Sequence, residues 1–261
     1  MITSKAARIT LCSVVMLAAW TMTTHSISAA EISVMSGGAP KDVLAVLTPQ
    51  FERQTGNSVK YSFAVISALR KRLDAGEKVD MVLLPVPVIE AYVKAGKLRA
   101  DGWAPLGNIG IMVIVKQGAP VPDISTPESF RKALLSAREV VHATPGATPS
   151  GDHMAKIIAQ LGIADAMRSK VVHRPALEGG VELVAKGEAE IGMYPASEVA
   201  HVDGVAVVGP LPAELQLNIL YGAGVTTDNA SPESALAFVK FLADPANRIH
   251  WKEAGFDPPG S

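Results

Sequence analysis

Cysteine is almost missing: the 261 residues contain one, Cys12. It lies in an N-terminal segment expected to be removed, so the working chain has no disulfide, thiolate metal site or cysteine nucleophile. Aromatic residues are scarce too, at 5%, and the formal net charge is −1. Such a chain lacks the broad basic surface and the stacking platforms that nucleic-acid binding uses, which counts against DNA or RNA as partners. The motifs G-x-S-x-G, H-E-x-x-H and C-x-x-C are absent, and no G-K-[ST] follows the one glycine-rich loop. His142, His153, His173, His201 and His250 stand far apart, with no pair at helical spacing. No metal or other cofactor is expected from that pattern.

What is present begins with a three-part leader. Lys5 and Arg8 precede a mostly apolar run from Leu11 to Trp20, and a small, polar stretch ends in Ser28-Ala29-Ala30. This is the pattern of a secretory signal peptide over 1–30, cleaved after Ala30. The run is shorter than the ~20 residues a membrane span needs. Cys12 sits at its start rather than after it, which is not the place of a lipid-acceptor cysteine. Cleavage would take two cations from 24, leaving 22 against 25 acids and a net charge of −3. The expected location is periplasmic.

The full sequence is 48% apolar, ample material for a core. Beyond residue 30 it alternates apolar runs with amphipathic stretches. Strands are expected at 32–35, 59–63, 79–84, 109–115, 140–141, 171–172, 191–194, 205–208 and 219–225. Between them lie helices opening at Pro40, at Ile66 and at Val88. Further helices follow the caps Thr126-Pro127-Glu128 and Ser231-Pro232-Glu233, with others at 154–161 and 177–186. Pro49 should kink the first helix. The alternation implies an α/β fold with mainly parallel sheets, in which ligands sit where strands run into helix N-termini.

Three such loops carry candidate chemistry. Ser36-Gly37-Gly38-Ala39 offers a hydroxyl and two glycines at a helix start, a natural anion site. Pro145 to Gly151 is stiffened by two prolines and brings Thr148 and Ser150, with Gly151 allowing close approach. Met193 to Ser197 brings Tyr194, which either donates its hydroxyl to a ligand or packs. The pattern favours binding over catalysis.

In the order and spacing of these motifs the chain resembles the periplasmic solute-binding proteins of ABC importers, in their molybdate-binding group. The carriers are Ile32 to Gly38, Phe51 to Gly56, Leu69 to Gly76 leading to Val79-Asp80-Met81-Val82, Gly187 to Gly192, and Ala235 to Leu242 with Asp244-Pro245-Ala246. The resemblance covers roughly 31–256. It implies a type II two-lobed fold with a hinge of two crossing strands, lobe 1 at 31–113 and 222–261 and lobe 2 at 114–221. It also implies a monomer that binds a small anion between the lobes and delivers it to an inner-membrane permease, without catalysis.

The chain departs from that group's anion donors. Ala39 stands where the group has a serine. Val65-Ile66 stands at its serine pair, with Ser67 one place on, and Pro195 at its tyrosine, with Tyr194 one place early. Two lost hydroxyl donors are worth roughly 3–6 kcal/mol at about 1.5–3 kcal/mol each, although Ser36 and Ser67 are placed to restore some. One reading keeps a molybdate-like oxyanion bound by Ser36, Gly37, Gly38, Ser67, Ser150 and Tyr194. A second takes an organic carboxylate, with Val65 and Ile66 against its apolar body and Arg174 gripping it in bidentate fashion. A third, an exported dehydratase-like enzyme, would need Glu178 or His153 in the cleft.

Overall fold

The computed structural model describes residues 29–260. The expected leader, with Lys5, Arg8 and Cys12, lies outside them except for Ala29 and Ala30. The first half opens with β1 (Glu31–Ser36), α1 (Lys41–Thr55), β2 (Ser58–Phe63), α2 (Ile66–Asp74), β3 (Met81–Pro85), α3 (Val86–Lys94) and β4 (Leu98–Ile109). The second half holds β5 (Ile111–Lys116), α4 (Pro127–Ser136), β6 (Val140–His142), α5 (Pro149–Gln160), α6 (Ala164–Met167) and β7 (Val171–His173). It continues with α7 (Gly180–Lys186), β8 (Ile191–Pro195) and β9 (Val205–Pro210). The chain then returns through β10 (Ile219–Thr226), α8 (Pro232–Ala243) and α9 (Arg248–Glu253).

Two five-stranded sheets result, ordered β2-β1-β3-β10-β4 and β7-β6-β8-β5-β9. The α/β expectation holds, but the sheets are mixed rather than mainly parallel. In the first, β1 pairs β2 and β3 in parallel while β10 runs antiparallel to β3 and β4. The second repeats this with β6 parallel to β7 and β8, and β5 antiparallel to β8 and β9. In each sheet the antiparallel strand is one that enters from the other half, which reverses its direction.

Local chemistry explains most of the elements. Val43, Leu44, Leu47 and Phe51 recur at helical spacing and form the buried face of α1, which ends where Gly56 turns left-handed at φ 76° and donates to Glu52 O. The helix runs unbroken through Pro49, which lies on its exposed face, where the freed Ala45 carbonyl meets solvent. Phe51 packs on Phe238 of α8 at 4.6 Å between ring centroids, so the returning segment closes the first core. A separate core under α4 and α5 holds Phe130, Leu134, Met154 and Ile157.

Three elements differ from expectation. The strand expected at 109–115 is the junction of two: the chain leaves the first sheet after Ile109 and enters the second at Ile111. β4 itself, LRADGWAPLGNI, lacks alternation and carries Pro105, which an edge strand tolerates. The boundaries expected at 113/114 and 221/222 thus fall within β5 and β10. The helix expected over 177–186 is broken by Gly179 at φ 87° into a 3-10 turn, Ala176–Glu178, and α7. Ser231 makes no side-chain cap. Its amide and that of Ala230 donate instead to Asp80 Oδ1, at 3.3 and 2.9 Å.

Candidate functional site

Between the two sheets the strand-to-helix loops meet in a narrow cleft. Gly38, Ala64, Val65, Ile66, Ile219 and Tyr221 line it from the first half. Ala143, Thr148, Pro149, Ser150, Pro175 to Leu177, Pro195 and Glu198 line it from the second. The space they enclose is about 20 Å³, room for about one water. The amide of Ser67, in the first turn of α2, donates to Ala147 O across the gap at 3.1 Å. The cleft is therefore shut, and anything larger than water enters only when the halves part. A larger hollow of about 740 Å³ lies between the 116–123 loop and α4, but none of the three predicted loops reaches it.

The predicted residues divide sharply. Gly38, Thr148 and Ser150 reach the cleft. Thr148 caps α5 by accepting from the Gly151 amide at 3.1 Å, and its hydroxyl lies 3.0 Å from that of Ser150. Ser36 and Ala39 are buried away from the lining, and the Ser36 hydroxyl donates to Gly37 O at 2.9 Å. The Gly37 amide is taken by Leu83 O. Gly151 faces its own chain, where a Cβ would stand 2.5 Å from Thr144 O and 2.7 Å from Ala143 O. Its role is helix packing rather than ligand approach. Tyr194 packs: it is fully buried and donates to Arg174 O at 2.7 Å. The Arg174 residue is exposed and Ser67 presents only its amide to the opposite wall. Glu178 is exposed, and His153 is held on Leu215 O at 2.7 Å, outside the lining.

Two cleft-lining groups were missed by sequence reasoning. Glu198 closes a 3-10 turn, Ala196–Glu198, directly after β8. The turn is anchored by the Ala196 amide on Gly110 O at 2.9 Å, at the point where the chain crosses between sheets. Among the described residues the Glu198 carboxylate makes no hydrogen bond and no ion pair, and burial pushes its pKa up to about 7. Opposite, the Tyr221 phenol is held protonated to high pH, by burial first and by the Glu198 charge second. Both groups flank the Gly37-Gly38 loop. A Cβ at Gly38 would stand 3.1 Å from Glu198 Oε1, and one at Gly37 would stand 3.3 Å from the Tyr221 hydroxyl. The third loop was read only to Ser197, one residue short. Tyr221 was legible only as one position of an apolar strand.

The arrangement joins the N-termini of α1, α2 and α5, an apolar wall and one unpaired carboxylate. Helix N-termini favour the charge of an anion, and the apolar wall favours carbon. The sequence matches the profile of bacterial extracellular solute-binding proteins over residues 32–257. The chain belongs to that family. This solute-binding protein is 30% identical over 237 residues to an aconitate isomerase of Pseudomonas sp, with 87% of each chain covered. It is 23% identical over 228 residues to the molybdate-binding protein ModA of Escherichia coli (strain K12), covering 87% of this chain and 88% of the relative. The periplasmic molybdate-binding protein of Azotobacter vinelandii superposes with a TM-score of 0.73 at 19% identity, over 87% of this chain and 99% of that one. The fold is thus that of the type II periplasmic binding proteins, as expected from the resemblance.

Proposed function

We propose that this solute-binding protein is the extracytoplasmic component of an ABC importer and closes on a small organic polycarboxylate rather than a tetrahedral oxyanion. The observation that carries this reading is the pairing of Glu198 with an apolar wall of Val65, Ile66, Leu177 and Ile219. A dianion the size of molybdate would fill the cleft with charge, facing an uncompensated carboxylate. Unit charges of like sign repel by about 4 kcal/mol at 4 Å near a protein surface. A carboxylate ligand places its charges at the helix N-termini and turns carbon toward Glu198 and the aliphatic side chains. Val65 and Ile66 stand where the molybdate-binding group has hydroxyl donors, which points the same way. The relative named as an aconitate isomerase acts on an unsaturated tricarboxylate, so aconitate heads the candidates. Arg174 does not enter this version, since it lies outside the lining.

Thermal unfolding of the purified protein tests it against cis- and trans-aconitate, citrate, smaller dicarboxylates, molybdate, tungstate and sulfate. Ligand at a thousand times its Kd adds about 4.1 kcal/mol, a rise of about 8–16 °C for a chain this size. A rise with carboxylates and none with oxyanions is expected. The reverse pattern would restore the molybdate reading.

A further inference from the structure

Glu198 is hard to explain as a structural group. Its carboxylate lies half-buried against Gly38 in the cleft with no cation and no hydrogen-bond donor to compensate it among the described residues. Leaving a desolvated charge unpaired is costly, and a glutamine or methionine would fill the same volume without that cost. The turn that carries it follows Pro195 and is anchored by the Ala196 amide on Gly110 O, which fixes where the side chain leaves the backbone. Facing it across the Gly37-Gly38 loop is the Tyr221 hydroxyl, which hydrogen-bonds to no described residue and is free to donate. The N-terminus of α1 opens beside both. A base, a donor and a positive helix end around one small space are the parts needed to remove a proton from carbon and hold the resulting charge.

We infer that Glu198 is a catalytic base, and that the cleft moves a proton within a bound unsaturated carboxylate, shifting its carbon–carbon double bond. This rests on the reading that the ligand is an organic carboxylate. Glu198 takes a proton from the methylene that lies between a carboxylate and the double bond. The C–H electron pair becomes the new double bond, and the old π pair moves toward the far carbon and the conjugated carboxylate. Tyr221 and the α1 N-terminus hold the charge on that carboxylate. The proton then returns from Glu198 to the far carbon. Nothing is oxidised or reduced, no group leaves and no co-reactant is consumed. Burial keeps the carboxyl near pKa 7, half ionised at neutral pH, where a base is most effective.

The test follows trans-aconitate by proton NMR in deuterated buffer with the purified protein, alongside its thermal shift. Wild type should incorporate deuterium at the methylene and accumulate the isomer. Glu198→Gln should keep the thermal shift and lose exchange by about 10²–10⁴-fold. Glu198→Asp, which keeps the acid on a shorter stem, should retain a measurable part and guards against a misfolded glutamine variant. In wild type the exchange rate should rise with pH through about 7. A thermal shift with neither isomer nor exchange in wild type overturns the inference and leaves the ligand reading intact. Exchange undiminished in Glu198→Gln overturns it as well. No thermal shift with any carboxylate removes both.

Discussion

His142, the last residue of β6, is fully buried and donates through Nδ1 to Ala143 O at 2.8 Å, while Nε2 has no partner among the described residues. Burial first, and the His173 ring beside it second, lower its pKa to about 4 from an ordinary 6.5. Between those values the unfolded chain binds the proton and the folded chain does not. The stability His142 allows is therefore complete above pH 6.5 and is lost as pH falls toward 4. Glu198 runs the opposite way. Its folded value near 7 lies above an ordinary 4.5, so its contribution is complete below 4.5 and is lost as pH rises through 7. Urea unfolding across pH 4–8 should separate the two. His142→Asn, which keeps a donor at the Nδ1 position, should gain on wild type as pH falls. Glu198→Gln should gain as pH rises. A pH-independent difference in either series would contradict the assignment. The T-shaped contact of the two histidine rings, 4.9 Å apart, was hidden in the sequence because parallel pairing of β6 with β7 creates it.

Among the elements, the helix starts decide what reaches the cleft. α5 begins so close to the preceding chain that Gly151 has no room for a methyl group against the Thr144 and Ala143 carbonyls. Gly151→Ala should cost about 1–3 kcal/mol as overpacking, seen as a lower urea midpoint with an unchanged slope. Gly180 does the same for α7, where a Cβ would run into the Tyr194 hydroxyl and the Arg174 carbonyl. That contact explains why Tyr194, plausible as a ligand group in one dimension, is committed to the Arg174 carbonyl instead. Glycine at a helix start was legible in the sequence, but ligand approach and helix packing demand the same residue. The same ambiguity covers Asp80, whose carboxylate accepts from the Ser33 hydroxyl and amide at 2.7 and 2.8 Å and from two amides before α8. Burial alone would raise its pKa; those donors outweigh burial and hold it low. Asp80→Ala should cost about 3 kcal/mol, since it orphans several buried donors, and is read from the same unfolding curves.

For the molecule as a whole, the crossing between the sheets is the critical joint. Gln216 clamps it: its Oε1 accepts from the Ile111 amide at 3.0 Å and from the Leu217 amide at 2.9 Å, and its Nε2 donates to Ile111 O at 3.1 Å. Beside it His153 Nε2 donates to Leu215 O. Both crossing segments are thereby held to each other at the joint between the sheets. Gln216→Ala should lower the urea midpoint by about 1–3 kcal/mol of stability. It should also reduce the slope, because two halves less firmly joined unfold less cooperatively. A lowered midpoint with an unchanged slope would show that the clamp stabilises without coupling.

The sequence by itself determined the α/β class, the order of nearly every element and the loops that meet in the cleft. Hydrophobic period, proline at helix starts and glycine at helix ends are local signals that survive in one dimension. It also marked Val65 and Ile66 as an apolar departure from a hydroxyl-lined site. Only the tertiary structure decided which loop residues face the cleft. Ser36 turns to the carbonyl of the next residue, Gly37, and Tyr194 to the Arg174 carbonyl just beyond β7, contacts that only the folded backbone creates. Glu198 became visible for the same reason. A carboxylate is ordinary in a sequence, and it stands out only once folding has buried it in the cleft with no partner.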